Sequence, residues 1–322
     1  MGCVDDRDRP AGGGVVADPP DPASVLTSPL LDVVPFADRI AVLSARTGLD
    51  FSTTVFALRA LPLAADRSRH APMRRALAAM MAPRLPILRA RMPTLVAARL
   101  EALAAPGDVD MMAEVVVPLV GDVLEELSGV GLGPGEGELV SRLFSEILGP
   151  ARRVRLEGEL RALRARVVAA FPDAAEDDIG QRMALVILGR DALIGTLARS
   201  LHALFREGRP FADLDWPEAP PATGVPFVDR VAVAEGRLGN HDLRPGDTLR
   251  AALQLHETGV GEMLGFFGAG AHLCLGRTPA LDLWREIGRH VATLPGRPEV
   301  TAFALRKDDV FAFPEPFRLK VA

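Results

Sequence analysis

From Ser44 to Phe205 the apolar residues recur mostly at three- and four-residue intervals, the spacing of helices that bury one face. This spacing predicts helices over His70–Met81 and Ile87–Ala104, both with arginines on the opposite face, and a helix over Met111–Leu127 after a break at Gly107–Asp110. The Gly-rich stretch Gly129–Gly137 reads as a loop, followed by helices near Glu138–Leu148 and Leu156–Phe171. A long helix is expected from about Glu176 to Phe205, with Pro172 and Asp173 as start signals. Residues 206–226 are Pro-rich and lose the period. Over Val231–Ala252 short apolar runs flank Gly236, Gly239-Asn240 and Pro245-Gly246, the pattern of a small β-meander. A further helix is predicted over Thr278–Leu294, then an extended hairpin over residues 300–321 around Pro314 and Pro316. Residues 1–26 are rich in Gly, Pro and Asp without any period and read as a disordered tail. Residues 27–322 read as a single domain, mainly α with a small β region.

Composition narrows the functional classes. The 322 residues are 48% hydrophobic and 25% charged, enough to bury a sizeable core. A net charge of −5 argues against non-specific nucleic-acid binding, which needs a basic face. The longest apolar run, Met183–Gly189, is stopped by Arg190 and Asp191, far short of a membrane span. The first residues lack the apolar stretch of a signal peptide. The two cysteines, Cys3 and Cys274, rule against a disulfide framework. The expectation is a cytoplasmic protein with a small-molecule substrate and neither nucleic-acid nor membrane partners.

Candidate chemistry concentrates in Phe267-Gly268-Ala269-Gly270-Ala271-His272-Leu273-Cys274-Leu275-Gly276, which joins a Gly-rich loop to the start of a helix. A cysteine just before a helix N-terminus feels the partial positive charge there, and free backbone N–H groups can bond its sulfur; both favour thiolate. Glycines at 268, 270 and 276 let the backbone come close to a flat ligand. Such a thiolate suits an axial ligand of haem iron. The same residues also allow a buried cysteine acting as a small hydrophobe, a zinc site from His272, Cys274 and His256, which lacks the usual ligand pairs, or a phosphate loop without its Gly-Lys-Ser/Thr ending.

The ten-residue pattern resembles the haem-binding loop of the cytochrome P450 family: Phe, two residues, Gly, one residue, a basic residue, one residue, Cys, one residue, Gly. Here His272 stands in the slot usually held by Arg. His70-Ala71-Pro72-Met73-Arg74 is similar to the family's His-x-x-x-Arg, whose side chains reach a haem propionate. Pro226-Phe227-Val228-Asp229-Arg230 resembles the entry to its β region, whose Arg binds the other propionate. The resemblance covers most of the chain. It implies a P450-like fold of reduced size and haem b as cofactor, with Cys274 as the iron ligand. It further implies His70, Arg74, Arg230 and His272 as propionate contacts, and Phe267 shielding the sulfur.

Leu188-Gly189-Arg190-Asp191-Ala192-Leu193 occupies the place of the family's Ala/Gly-Gly-x-Asp/Glu-Thr, on the helix crossing the distal haem face. Gly189 would make room for a ligand, the bland alternative being close helix packing. Asp191 is the candidate for proton delivery. Ala192 replaces the family's threonine, so a relay would use water, a substrate hydroxyl, or Thr196 one turn further along. Arg190 would anchor a carboxylate substrate. The family's Glu-x-x-Arg is missing; Glu218-Ala219-Pro220-Pro221 sits roughly where it should end. Arg277, Arg285 and Arg289 are placed to dock an acidic, ferredoxin-type redox partner, or simply form a solvated helix face. The activity implied is monooxygenase-type oxygen insertion into a small organic substrate in bacterial biosynthesis. The alternatives are a peroxygenase or a redox-neutral dehydratase, isomerase or bond-forming enzyme, and a non-catalytic haem-binding relative.

Overall fold

The structure is a computed structural model; it describes residues 22–133, 136–145, 147–253, 266–306 and 310–322. Its frame is nine helices among the described residues. They are α1 (Pro22–Thr27), α2 (Phe36–Thr47), α3 (Ser52–Ala60), α4 (Arg67–Met81), α5 (Leu85–Leu100), α6 (Val117–Ser128), α7 (Pro150–Ala170), α8 (Glu176–Phe205) and α9 (Arg277–Val291). A π-helical turn, Met111–Val116, runs directly into α6.

Eight strands are present among the described residues. β1 (Leu31–Val33), β3 (Phe227–Ala232) and β6 (Thr248–Ala252) form one antiparallel sheet in the order β1-β3-β6. β2 (Gly107–Asp110), β8 (Pro314–Val321) and β7 (Pro298–Leu305) form a second, in the order β2-β8-β7. β4 (Gly236–Leu238) and β5 (His241–Leu243) make a hairpin. The mainly α reading with minor β therefore holds.

The long helix spans Glu176–Phe205 as the sequence predicts. Glu176, Asp177 and Asp178 fill its first turn, where carboxylates complement the exposed N–H groups. Its length puts it between the two large apolar clusters. Leu185, Ile194, Leu197, Leu201 and Phe205 join the cluster built with α5, α6, α9 and the β7–β8 hairpin. Ile179, Met183, Val186 and Ile187 join the one built with α2, α3 and α7. Each fully buried Leu, Val, Ile or Phe in them contributes about 1.5–3 kcal/mol.

Two polar devices fix helix ends. Glu157, buried on α7, accepts from the backbone N–H groups of Thr53 and Thr54 at 3.0 and 2.8 Å and so caps α3 from a distant part of the chain. At the other end of α6, Gly129 takes the left-handed conformation (φ 75°), and Arg84 and Arg182 donate to the carbonyls of Glu126 and Ser128.

Several expectations need correction. The tail does not extend to residue 26, because α1 begins at Pro22 and buries Val25 and Leu26 against Leu31, Leu249 and Ala251. Gly107–Asp110 is not a plain break; it is a strand whose partner, β8, lies some two hundred residues on in sequence. The helix expected near Glu138–Leu148 shrinks to a 3-10 turn, Val140–Phe144, between the loop at Gly137 and the helix start at Pro150. Cys3 and His256 lie outside the described residues.

Candidate functional site

Cys274 sits in a loop closed on itself. Its own N–H donates to the Phe267 carbonyl at 2.9 Å, and Leu273 N–H to the Gly270 carbonyl at 3.2 Å. Gly268 (φ 77°) and Gly270 (φ 62°) hold left-handed backbone that other residues resist. Gly276 does not need glycine for its backbone conformation; it forms the N-cap of α9 and stands beside the sulfur. The backbone N–H groups of Gly276 and Arg277 and the Arg74 charge favour the thiolate and lower the thiol pKa, and Arg277 N–H also donates to the Cys274 carbonyl at 3.4 Å. Burial outweighs them and pushes it up. Yet Cys274 is an exposed residue, so the loop stays open to solvent on one side although protein surrounds the thiol. Phe267 packs on Phe266 at 4.8 Å, with the Arg277 guanidinium 6.0 Å from its ring centroid.

Basic side chains gather round Cys274 from three separate elements. His70 and Arg74 stand one turn apart on α4, whose N-terminus is capped by Asp66 accepting from Ser68 and Arg69. Arg230 is buried on β3, and His272 comes from the cysteine loop. The rings of His70 and His272 lie 4.0 Å apart, and Nε2 of His70 is buried with no hydrogen-bond partner. Burial first, then the charges of Arg230, His70 and Arg74, push His272 down to about 3. His70 is lowered by burial, Arg74 and Arg230. The guanidiniums of Arg74 and Arg230 are lowered by burial, although Asp32 and Asp229 partly offset the burial of Arg230. Asp229 is already tied to Arg250 through two hydrogen bonds of 2.8 and 2.9 Å. Asp32, on β1, is a neighbour of this cluster that no local motif announces.

Two guanidiniums, two imidazoles, one of them with an orphaned nitrogen, and a thiol fit a group that carries two anionic arms and a metal. That is the chemistry of haem with its propionates and iron, the cofactor the resemblance implies. His70, Arg74, Arg230, His272 and Cys274 are thus brought together as the sequence suggests.

The middle of α8 departs from expectation. Gly189 makes no room for a ligand: a Cβ there would lie 2.6 Å from Leu124 Cδ2, so this glycine lets α8 approach α6. Asp191 is fully buried and ion-paired with Arg190 and, at 3.6 Å, with Arg306. Neither Asp191 as a proton donor nor Arg190 as an anchor for a substrate carboxylate fits that pairing. Thr196 Oγ1 donates to the Ala192 carbonyl at 2.7 Å and accepts from Gly224 N–H at 2.8 Å. Its hydroxyl is therefore part of a seam, not a relay. Arg199 donates to the Thr223 carbonyl, and Ser200 exchanges hydrogen bonds with Ala222 at 3.0 and 3.1 Å. Ala192 is half-buried beside this seam.

On α9 the positive charge is balanced locally, Arg285 pairing with Asp282 and Arg289 with Glu286, both at 2.7 Å. No helix among the described residues is long and apolar enough to cross a membrane.

Comparison of the sequence with known family profiles and with curated proteins finds no match. Comparison of the structure does. CalO2 superposes with a TM-score of 0.73 at 16% identity, over 94% of this chain and 88% of that one. P450BioI, solved in complex with an acyl carrier protein carrying hexadec-9Z-enoic acid, gives 0.70 at 12% identity, over 93% and 89%. The cytochrome P450 CYP109B1 of Bacillus subtilis gives 0.62 at 14% identity, over 93% and 98%. The chain has the cytochrome P450 fold, reduced in size, and is related in structure to that family.

Proposed function

We propose that this protein is a haem-thiolate oxidoreductase in which Cys274 is the axial ligand. The observation that carries the proposal is the thiol itself, set just before the Gly276 N-cap of α9, with Arg74, Arg230, His272 and the unpartnered Nε2 of His70 around it. Haem bound here would supply iron redox chemistry made electron-rich by the sulfur, which favours O–O cleavage. The chain's own part is to hold that group. Arg74, Arg230, His70 and His272 would take the propionates, whose negative charge would oppose the burial and the neighbouring positive charges that now depress both histidines. The N–H groups of Gly276 and Arg277 would share the sulfur's negative charge, and Phe267 would cover the loop.

Two types of reaction suit this site. One is monooxygenase-type oxygen insertion into a small organic substrate, with a ferredoxin-type electron donor, in bacterial biosynthesis. The other proceeds without dioxygen activation, as a peroxygenase or a redox-neutral enzyme. The bonding of Asp191 and Thr196 favours the second, because neither side chain is free to pass protons to bound dioxygen.

Haem titration of the purified chain tests the proposal. The expected result is one equivalent bound, with affinity lowered roughly tenfold or more in Arg230→Ala. Failure to bind haem would overturn it. Turnover of a substrate panel with peroxide, set against dioxygen plus an electron donor, separates the two reaction types. Product formed only with dioxygen and reductant would reject the second.

A further inference from the structure

Residues 206–226 stand where the family's Glu-x-x-Arg helix is missing, and they carry no regular element except the 3-10 turn Phe211–Asp213. This segment is nevertheless pinned to α9. The chain has two tryptophans, and they stack on each other: Trp216 from the segment and Trp284 from α9, ring centroids 4.3 Å apart and planes 29° apart. Trp284 is fully buried, and its indole N–H donates to the Pro217 carbonyl at 2.9 Å. One turn further along α9, a Cβ on Gly288 would fall 2.5 Å from Trp216 Cδ1 and Nε1. Only a residue without a side chain lets the indole lie flat there. Glycine weakens a helix interior relative to alanine, so its presence at 288 calls for a packing reason. Trp216 Nε1 is buried without a partner, so the ring is held by shape and not by its polar atom.

α9 starts three residues after Cys274, its N-cap Gly276 stands beside the sulfur, and the N–H of its first residue, Arg277, donates to the Cys274 carbonyl at 3.4 Å. Where α9 sits therefore decides where the sulfur sits. We propose that Trp216, Trp284 and Gly288 form a lock that fixes α9 and positions the Cys274 thiolate, in place of the absent Glu-x-x-Arg pair. The inference rests on the haem-thiolate reading of the site, and the three are positioning residues because none is placed at the reacting atoms.

The test compares Gly288→Ala, Trp216→Ala and the double variant. Helix propensity alone predicts a higher Tm for Gly288→Ala. The lock predicts a lower one by a few degrees, and a double variant less destabilised than the two single changes added together. In the haem-loaded proteins, well below Tm, the share of ferrous–carbonyl complex with the red-shifted Soret band of thiolate ligation is expected to drop roughly twofold or more in each single variant, with Trp216→Phe retaining most of it. A Gly288→Ala protein with wild-type or higher Tm overturns the lock. A lower Tm with an unchanged thiolate share overturns its positioning role. Should wild type itself lack the red-shifted band, the haem-thiolate reading fails instead. The Tm comparison then still decides the lock, and the alkylation rate of Cys274 in a Cys3→Ser background decides positioning, an unchanged rate in both single variants overturning it.

Discussion

Around Cys274, Nε2 of His70 is buried without a partner, half-buried Arg74 makes no side-chain hydrogen bond or ion pair among the described residues, and Arg230 donates to the adjacent Asp229 carbonyl. In the middle of α8 the opposite holds. Asp191 has two arginines, Thr196 bonds on both sides, and Ser200 is matched to Ala222. Burying a polar group without a partner is costly, and an orphan set among a thiol and three other basic side chains is one that a ligand would complete. The contrast separates two kinds of charged residue that look alike in a motif. On the proposed reading those near Cys274 would be completed by a ligand, whereas those on α8 are paired within the fold.

The sharpest way to break this contrast is at Asp191. Asp191→Ala leaves Arg190 and Arg306 without their buried carboxylate, and a loss of about 3–5 kcal/mol in folding free energy is expected in denaturant titration. If stability were unchanged while turnover collapsed, Asp191 would be a catalytic group after all and the comparison would fail.

Arg74 should behave in the reverse sense. Its half-buried charge is disfavoured by burial and repels His272, so Arg74→Gln is expected to leave the haem-free protein as stable as wild type or more so. Haem affinity should fall roughly tenfold, since a charge-assisted hydrogen bond is worth about 1.5–3 kcal/mol. Calorimetry and haem titration on the same variant would show the two effects with opposite sign. A loss of stability in the haem-free form would mean Arg74 is structural.

The mildest effect is expected at Thr196. Thr196→Val removes the bond to the Ala192 carbonyl and leaves Gly224 N–H unpaired, at a cost of about 1–3 kcal/mol. Turnover per bound haem should not change. A selective loss of turnover at full stability would restore Thr196 to the proton relay.

These contrasts also explain what could be read from the sequence. The Cys274 loop was legible because its glycines, its cysteine and the following helix are consecutive in the chain. His70 and Arg74 were legible because one helical turn separates them. α8 was legible over its full length from its apolar pattern and the Pro172-Asp173 start signal. Meaning was lost wherever a partner came from far away. Asp191 takes its role partly from Arg306, Thr196 from Gly224, and the strand Gly107–Asp110 from β8. Gly189 carried two readings, and only the position of Leu124 chose between them. Trp216 and Trp284 lie in segments whose pairing no local pattern announces, although two tryptophans in a chain with no tyrosine were a signal open to notice.

The central claim is that Cys274 binds haem iron through its thiolate. Its most direct test is the absorption spectrum of the reduced, carbon monoxide-bound protein, for wild type and for Cys274→Ala. The account predicts a strongly red-shifted Soret band in wild type that is absent from the variant. A band at the ordinary position in wild type, or a red-shifted band that survives the loss of Cys274, would contradict it.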